Sequence, residues 1–213
     1  MRERSSILFL VKYPERGRVK TRLAATLGND TALALYQGFV VDLLSVLNTC
    51  GRPRMIYYAP AEAQDRLRAW LGPEDSYTAQ RGSDIGERMK NAFLDAFETG
   101  VEQAILIGSD VPAITADILD EGLRSLACND VVIGPAMDGG YYLIGFNAGS
   151  FQPNAFDGIA WSTDTVFERT MAILSRSNHR VHVLPTLRDI DTPEDLEAYL
   201  KTRASRCSEQ RPG

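Results

Sequence analysis

Ile7-Leu8-Phe9-Leu10-Val11-Lys12-Tyr13-Pro14-Glu15-Arg16-Gly17-Arg18-Val19-Lys20-Thr21-Arg22-Leu23 carries an unbroken apolar run straight into a loop holding the cations Lys12, Arg16, Arg18, Lys20 and Arg22. Apolar residues without alternation predict a strand covered on both faces, as in a parallel sheet, and Pro14 and Gly17 end it. Ligands of such sheets sit beyond the carboxyl ends of the strands, so a cationic turn placed there suits a phosphate. Gly17 would let backbone amides approach oxygen atoms while Lys20 and Arg22 supply countercharge. The bland alternative is a solvated surface loop. A P-loop is excluded, because Pro14 and Val19 stand where its glycines must be, and no Gly-x-Gly-x-x-Gly fingerprint follows a strand.

Outward from this stretch the pattern repeats. Helical spacing of Leu33, Phe39, Val40, Leu43, Leu44 and Leu47 predicts a helix that starts at Asn29 or Asp30 and stops near Gly51. Strands are expected at 54–59, 77–80, 104–108, 131–133, 141–146 and 181–184, and helices at 61–71, 85–99, 114–126, 163–174 and 193–200. Alternation with short connections predicts an α/β fold: a three-layer α/β/α arrangement with a mostly parallel, Rossmann-like sheet and helices on both faces. No linker divides the 213 residues, so one domain over 1–203 is expected, followed by a polar, disordered tail over 204–213.

Composition narrows the partners. A formal charge of −5 with no basic face argues against nucleic-acid binding. Cys50, Cys128 and Cys207 have no metal-type spacing, and residues 1–5 lack a signal-peptide apolar region, so a cytoplasmic location is expected. No apolar run approaches the length expected of a membrane span. His179 and His182 fit no nucleophile or metal pattern.

Acids and aromatics mark the remaining candidates. Asp110, in Gly108-Ser109-Asp110-Val111-Pro112 after a very apolar strand, either holds Mg²⁺ or Mn²⁺ against a pyrophosphate or serves as a turn residue. In Asp189-Ile190-Asp191-Thr192-Pro193, Thr192 can cap a helix with Pro193 at its first position, and Asp191 could converge with Asp110 on one metal. Asp138-Gly139-Gly140-Tyr141-Tyr142 is either a hairpin turn or a segment that brings backbone and a tyrosine ring to a ligand, with Asp138 orienting or deprotonating an acceptor hydroxyl. Ser162 suffices as a helix cap, and Trp161 could stack on a ligand.

As an ordered set, Lys12-x-Pro14, Gly17-x-Val19-Lys20-Thr21-Arg22-Leu23, Gln80-x-Gly82-x-Asp84-x-Gly86-Glu87-Arg88-Met89, Gly108-Ser109-Asp110-x-Pro112, Gly134-Pro135-x-x-Asp138-Gly139-Gly140-Tyr141 and Asp189-x-Asp191-Thr192 resemble the nucleotide-diphospho-sugar transferase superfamily of GT-A-type fold. The resemblance runs nearly end to end and is greatest to the bacterial selenodomain-associated transferases, with a more distant similarity to phospholactate and molybdenum-cofactor guanylyltransferases and CMP-sugar synthetases. It implies a metal-dependent transferase that uses a nucleotide or nucleotide-sugar donor and a small acceptor, with Mg²⁺ or Mn²⁺ as cofactor. Lys12, Gly17, Gln80, Gly82, Asp84 and Arg88 would bind nucleotide; Gly139, Gly140, Tyr141 and Trp161 would face the acceptor. Lys20, Arg22 and Asp138 would be catalytic, and Asp110 and Asp191 would hold metal. The chain departs from the superfamily in lacking a Gly-x-Gly opening in the first loop and a full Asp-x-Asp at Ser109-Asp110. A non-catalytic nucleotide-binding module of the same fold is the alternative; an aspartyl phosphatase lacks its required Asp-x-Asp after the first strand.

Overall fold

The computed structural model describes residues 5–209, the side chains of 204–209 excepted. Strand β1 (Ser5–Lys12) is an interior strand of the sheet, and its side chains find apolar partners on both faces. Ile7, Phe9 and Val11 point to one side, where Val40, Leu43 and Leu47 of α2 (Asn29–Cys50), Leu67 of α3 (Gln64–Leu71) and Leu119 and Leu123 of α5 (Ala116–Ser125) cover them. Leu8 and Leu10 point to the other, against Met89 and Phe93 of α4 (Ile85–Glu98) and Leu174 of α6 (Val166–Arg176). The period of two along one strand thus generates the three layers.

The remaining strands are β2 (Arg54–Ala59), β3 (Ser76–Ala79), β4 (Gln103–Ile107), β5 (Val131–Pro135), β6 (Tyr141–Asn147) and β7 (Val181–Val183). They lie in the order β3-β2-β1-β4-β6-β5-β7. All are parallel except β6, which runs against both β4 and β5. The carboxyl ends of the six parallel strands and the start of β6 therefore share one edge. Sequential order reverses between β1 and β4, the position at which an open α/β sheet leaves a crevice.

Several local readings change. The turn after β1 is followed by a helix that the cationic composition had hidden, α1 (Thr21–Leu27), so Arg22 is helical. Of the two alternatives for Asp138-Gly139-Gly140, the hairpin turn holds, between β5 and β6. Ser162 is not a cap: it has φ 63°, and α6 begins after Thr165, which makes no side-chain capping bond. Helix α2 has the length and a mean hydropathy, 1.4, that would allow a membrane span, against the expectation from the sequence; its buried Tyr36, Phe39, Val40 and Leu43 instead face protein. The last helix, α7 (Pro193–Glu209), runs into the expected tail, and residues 1–4 and 210–213 lie outside the described residues. Leu196 and Tyr199 of α7 pack on a small core of Leu23, Ala32, Phe39 and Ile190, which fixes α1 and the 185–192 segment to each other.

Tyr36 joins three elements at the crevice. Its buried hydroxyl donates to Lys12 O at 2.9 Å, accepts from Lys12 N at 3.0 Å and lies 3.1 Å from Ser109 Oγ. Burial pushes its pKa up, so the phenol stays protonated. Tyr36→Phe should cost about 2 kcal/mol, because a buried amide and hydroxyl lose their partner. Urea unfolding should show a lower midpoint at unchanged slope.

Candidate active site at the sheet switch point

A cavity of about 420 Å³ opens at the reversal between β1 and β4, within the range of small-ligand sites. Its floor is Leu10, Val11 and Lys12 from β1 and Gly108, Ser109 and Asp110 after β4. Gln80 and Arg88 close one side; Asp138, Gly140, Tyr141 and Trp161 close another, with Asp189 and Asp191 beside them.

Lys20 defines the electrostatics. Its Nζ lies 2.7 Å from Asp110 Oδ1 and 3.1 Å from Asp191 Oδ1, with the side chain only 2% exposed. Arg22 reaches Asp191 Oδ2 at 3.4 Å. Burial pushes the Lys20 pKa down, but Asp110 and Asp191 outweigh it and the net shift is upward, so the ammonium stays charged. The two acid-bearing loops are also tied through backbone, Ile190 N donating to Asp110 O at 3.3 Å. Half-burial, followed by the charges of Asp138, Asp191 and Asp195, pushes the Asp189 carboxyl above its ordinary range.

This arrangement suits a hard divalent cation. Carboxylate oxygens from two separate loops converge on one positive charge, and oxygen donors are what Mg²⁺ and Mn²⁺ prefer. Among the described residues no group of three or more His, Cys, Asp and Glu gathers to cage a metal. A pair of acids therefore fits an ion whose remaining coordination comes from phosphates and water.

Other candidates have structural duties as well. Lys12 Nζ donates to Arg18 O at 2.8 Å and braces the first loop, while Gly17 takes the turn with φ 75° and lies outside the cavity lining. Gln80 Nε2 donates to Tyr57 O at 2.9 Å and Val11 O at 3.3 Å, stitching strand ends together at the cavity wall. Asp84 caps α4, accepting from Glu87 N at 2.8 Å, and Gly82 has φ 138° where a Cβ would lie 2.6 Å from Glu87 Cβ; neither lines the cavity. Arg88 Nε donates to Gly82 O at 3.2 Å and still reaches the wall. Trp161 is seated over Gly86, where a Cβ would fall 2.3 Å from its ring, and stands edge-on to Tyr141 at 6.4 Å. Ser109 and Asp189, which stand in motifs without an assigned role, line the cavity, and Tyr36, which no motif contains, contacts Ser109 from outside that lining.

Gly139 points away from the cavity: at φ 87° its Cβ would sit 2.1 Å from Asp164 O, and its carbonyl accepts from Phe167 N at 2.8 Å. Gly139→Ala should therefore cost about 3 kcal/mol through strain and backbone collision. A drop in melting temperature of about 6 °C or more, with altered Trp161 emission, is the expected readout.

Residues 43–163 match the family model described as "uncharacterized protein conserved in bacteria (DUF2064)". The chain belongs to this family. A protein from Desulfovibrio desulfuricans G20, provisionally described as a nucleotide-diphospho-sugar transferase, is 44% identical, with 94% of this chain and 87% of that one covered and a TM-score of 0.91. A 2-phospho-L-lactate guanylyltransferase from Methanopyrus kandleri (strain AV19) is 24% identical over 192 residues, 88% of each protein. The manganese complex of Rv0371C from Mycobacterium tuberculosis H37Rv shares the fold at 14% identity and TM-score 0.53, with 92% of this chain and 97% of that one covered. This DUF2064 member thus has the α/β architecture of the nucleotide-diphospho-sugar transferases, its family match spanning β4, β5, the hairpin turn and Trp161.

Proposed function

We propose that this DUF2064 member is a metal-dependent nucleotidyltransferase that uses a nucleoside triphosphate to modify a small acceptor. The observation that carries the reading is the convergence of Lys20, Arg22, Asp110 and Asp191 at the switch point. A cationic loop and paired oxygen donors there are what a triphosphate needs, and the likeness to a guanylyltransferase supports nucleotidyl over glycosyl transfer.

In this reading Lys20 and Arg22 bind and neutralise the phosphates as charge moves to the departing pyrophosphate. Asp110 and Asp191 would hold Mg²⁺ or Mn²⁺, which when bound supplies further charge neutralisation on the phosphate oxygens. Gln80 and Arg88 wall the nucleotide, and Trp161 with Tyr141 offers an aromatic corner to the acceptor. Asp138, exposed at the rim, orients the acceptor's oxygen and takes its proton as that oxygen attacks the α-phosphorus and the bond to pyrophosphate breaks. Transfer then needs no nucleophile from the chain; Cys50 and Cys128 lie outside the cavity.

Product analysis tests this. With CTP, GTP, ATP or UTP, Mg²⁺ and a library of phosphorylated and hydroxylated small molecules, pyrophosphate release coupled to a mass gain of one nucleoside monophosphate on an acceptor is expected. Release of nucleoside diphosphate from nucleotide-sugars would instead establish glycosyl transfer. Tight nucleotide binding with neither release would make the chain a sensor module.

A further inference from the structure

We propose that Lys20 is a built-in cation place-holder, its ammonium occupying the position between Asp110 and Asp191 that a divalent ion would take and keeping metal affinity low until a ligand draws the ammonium away. The inference rests on the reading of Asp110 and Asp191 as metal acids.

Three independent observations converge on Lys20. Its ammonium contacts carboxylates from two different loops, at 2.7 and 3.1 Å, while the side chain is sealed from solvent. Its backbone is left-handed, φ 45° and ψ 49°, at the residue that opens α1. A non-glycine residue rests there only where its surroundings hold it, and such strain clusters at sites that switch. Finally, α7 and α1 close a separate core around Leu23 and Ile190, which anchors the start of α1 to the segment carrying Asp191, and Ile190 N donates to Asp110 O, which ties the second acid to that segment. The acids are thus prearranged, and the lysine compensates their charge. Two carboxylates this close together without a countercharge between them would repel each other. A divalent ion and the ammonium cannot both sit between the same oxygens, so binding one displaces the other. Phosphate oxygens of an incoming ligand are the natural new partner for the released ammonium, since they lie on the same side of the sheet edge in the proposed function.

Arg22 supplies the internal control. It also carries one positive charge to Asp191, but at 3.4 Å and with a side chain that is 69% exposed, so it lies outside the shared position. Removing a charge from the neighbourhood should help any cation slightly; removing the occupant should help much more.

Mn²⁺ alone is the probe, titrated into the full chain and followed by the paramagnetic resonance signal of the free ion. Lys20→Met and Lys20→Gly are compared with Arg22→Gln, Asp110→Asn and the parent chain, with far-UV circular dichroism checking each fold. Glycine accepts φ 45° without strain and keeps the test valid if methionine perturbs the turn. The expected result is Mn²⁺ affinity about tenfold or more higher in both Lys20 variants, less than about threefold higher in Arg22→Gln, and lost when Asp110→Asn is added to Lys20→Met. Equal gains in the Lys20 and Arg22 variants, or Asp110-dependent Mn²⁺ binding that Lys20 replacement leaves unchanged, would overturn the place-holder and leave the metal site standing. Absence of Mn²⁺ binding from every variant would overturn the metal reading and the place-holder together.

Discussion

Asp110→Asn is expected to lower nucleotidyl transfer by about a thousandfold while the melting temperature stays within about 3 °C of the parent. The asymmetry follows from where the side chain sits. Asp110 lies 61% exposed at the cavity floor, so little packing depends on its charge, and asparagine can still accept from Lys20 through its amide oxygen. Lys20 also keeps Asp191 as a partner, which avoids an uncompensated buried ammonium. What asparagine removes is one anionic oxygen donor where the account places two. Steady-state kinetics with the productive nucleotide, alongside thermal melting, separate the effects. A loss confined to KM would assign Asp110 to ground-state binding, and full activity in the presence of chelator would remove metal from the account altogether.

Lys20→Met should lose activity by about two to three orders of magnitude, again with the fold retained. Methionine preserves most of the length and apolar stem of lysine, so the sealed position is refilled. The acids left behind keep access to water, being 61% and 34% exposed, and are not trapped as buried charges. Lost transfer therefore reports the missing charge on phosphate rather than misfolding. Lys20→Arg should not restore the rate, because a planar guanidinium fork does not fit a position built around a point charge touching two carboxylates. Lys20→Met thus gains Mn²⁺ affinity and loses turnover, opposite changes from one substitution.

Much of the fold was legible because one physical signal dominates it. The uninterrupted Ile7–Val11 run could be satisfied only between two helical layers, and the structure places those residues alternately on the two cores. Asp84 caps α4 as a side-chain acceptor, and Thr192 Oγ1 accepts from Asp195 N at 3.2 Å at the start of α7. Helix α1 escaped because its positive charges read as loop, although Leu23 and Leu27 are spaced one turn apart. The antiparallel course of β6 was hidden for a related reason: Asp138-Gly139-Gly140 satisfies both a hairpin turn and a ligand-facing loop, and it is a hairpin turn whose Asp138 lines the cavity.

The sequence suggested the pairing of Asp110 with Asp191, but not the lysine between them. Acids at the ends of strands announce themselves locally, but Asp110 meets Asp191 only because β5, β6 and β7 add to the sheet on the β4 side and return the chain to the same edge. Lys20 between them is a consequence of tertiary folding that no spacing encodes. Glycines were the least readable. The resemblance assigns Gly82 and Gly139 to nucleotide and acceptor and Gly86 to neither, and the close approach of Glu87, Asp164 and Trp161 gives each of the three a packing reason that the sequence does not show.

The most direct test is a crystal of the full chain grown with Mn²⁺ and the nucleoside triphosphate that stabilises it best against heat. An anomalous manganese peak is expected between Asp110 and Asp191, with phosphates facing Arg22 and a Lys20 ammonium that has left the acids, and the base against Gln80 and Arg88. A nucleotide bound away from the switch-point cavity, or phosphates at Lys20 with manganese held elsewhere than by Asp110 and Asp191, would contradict this arrangement.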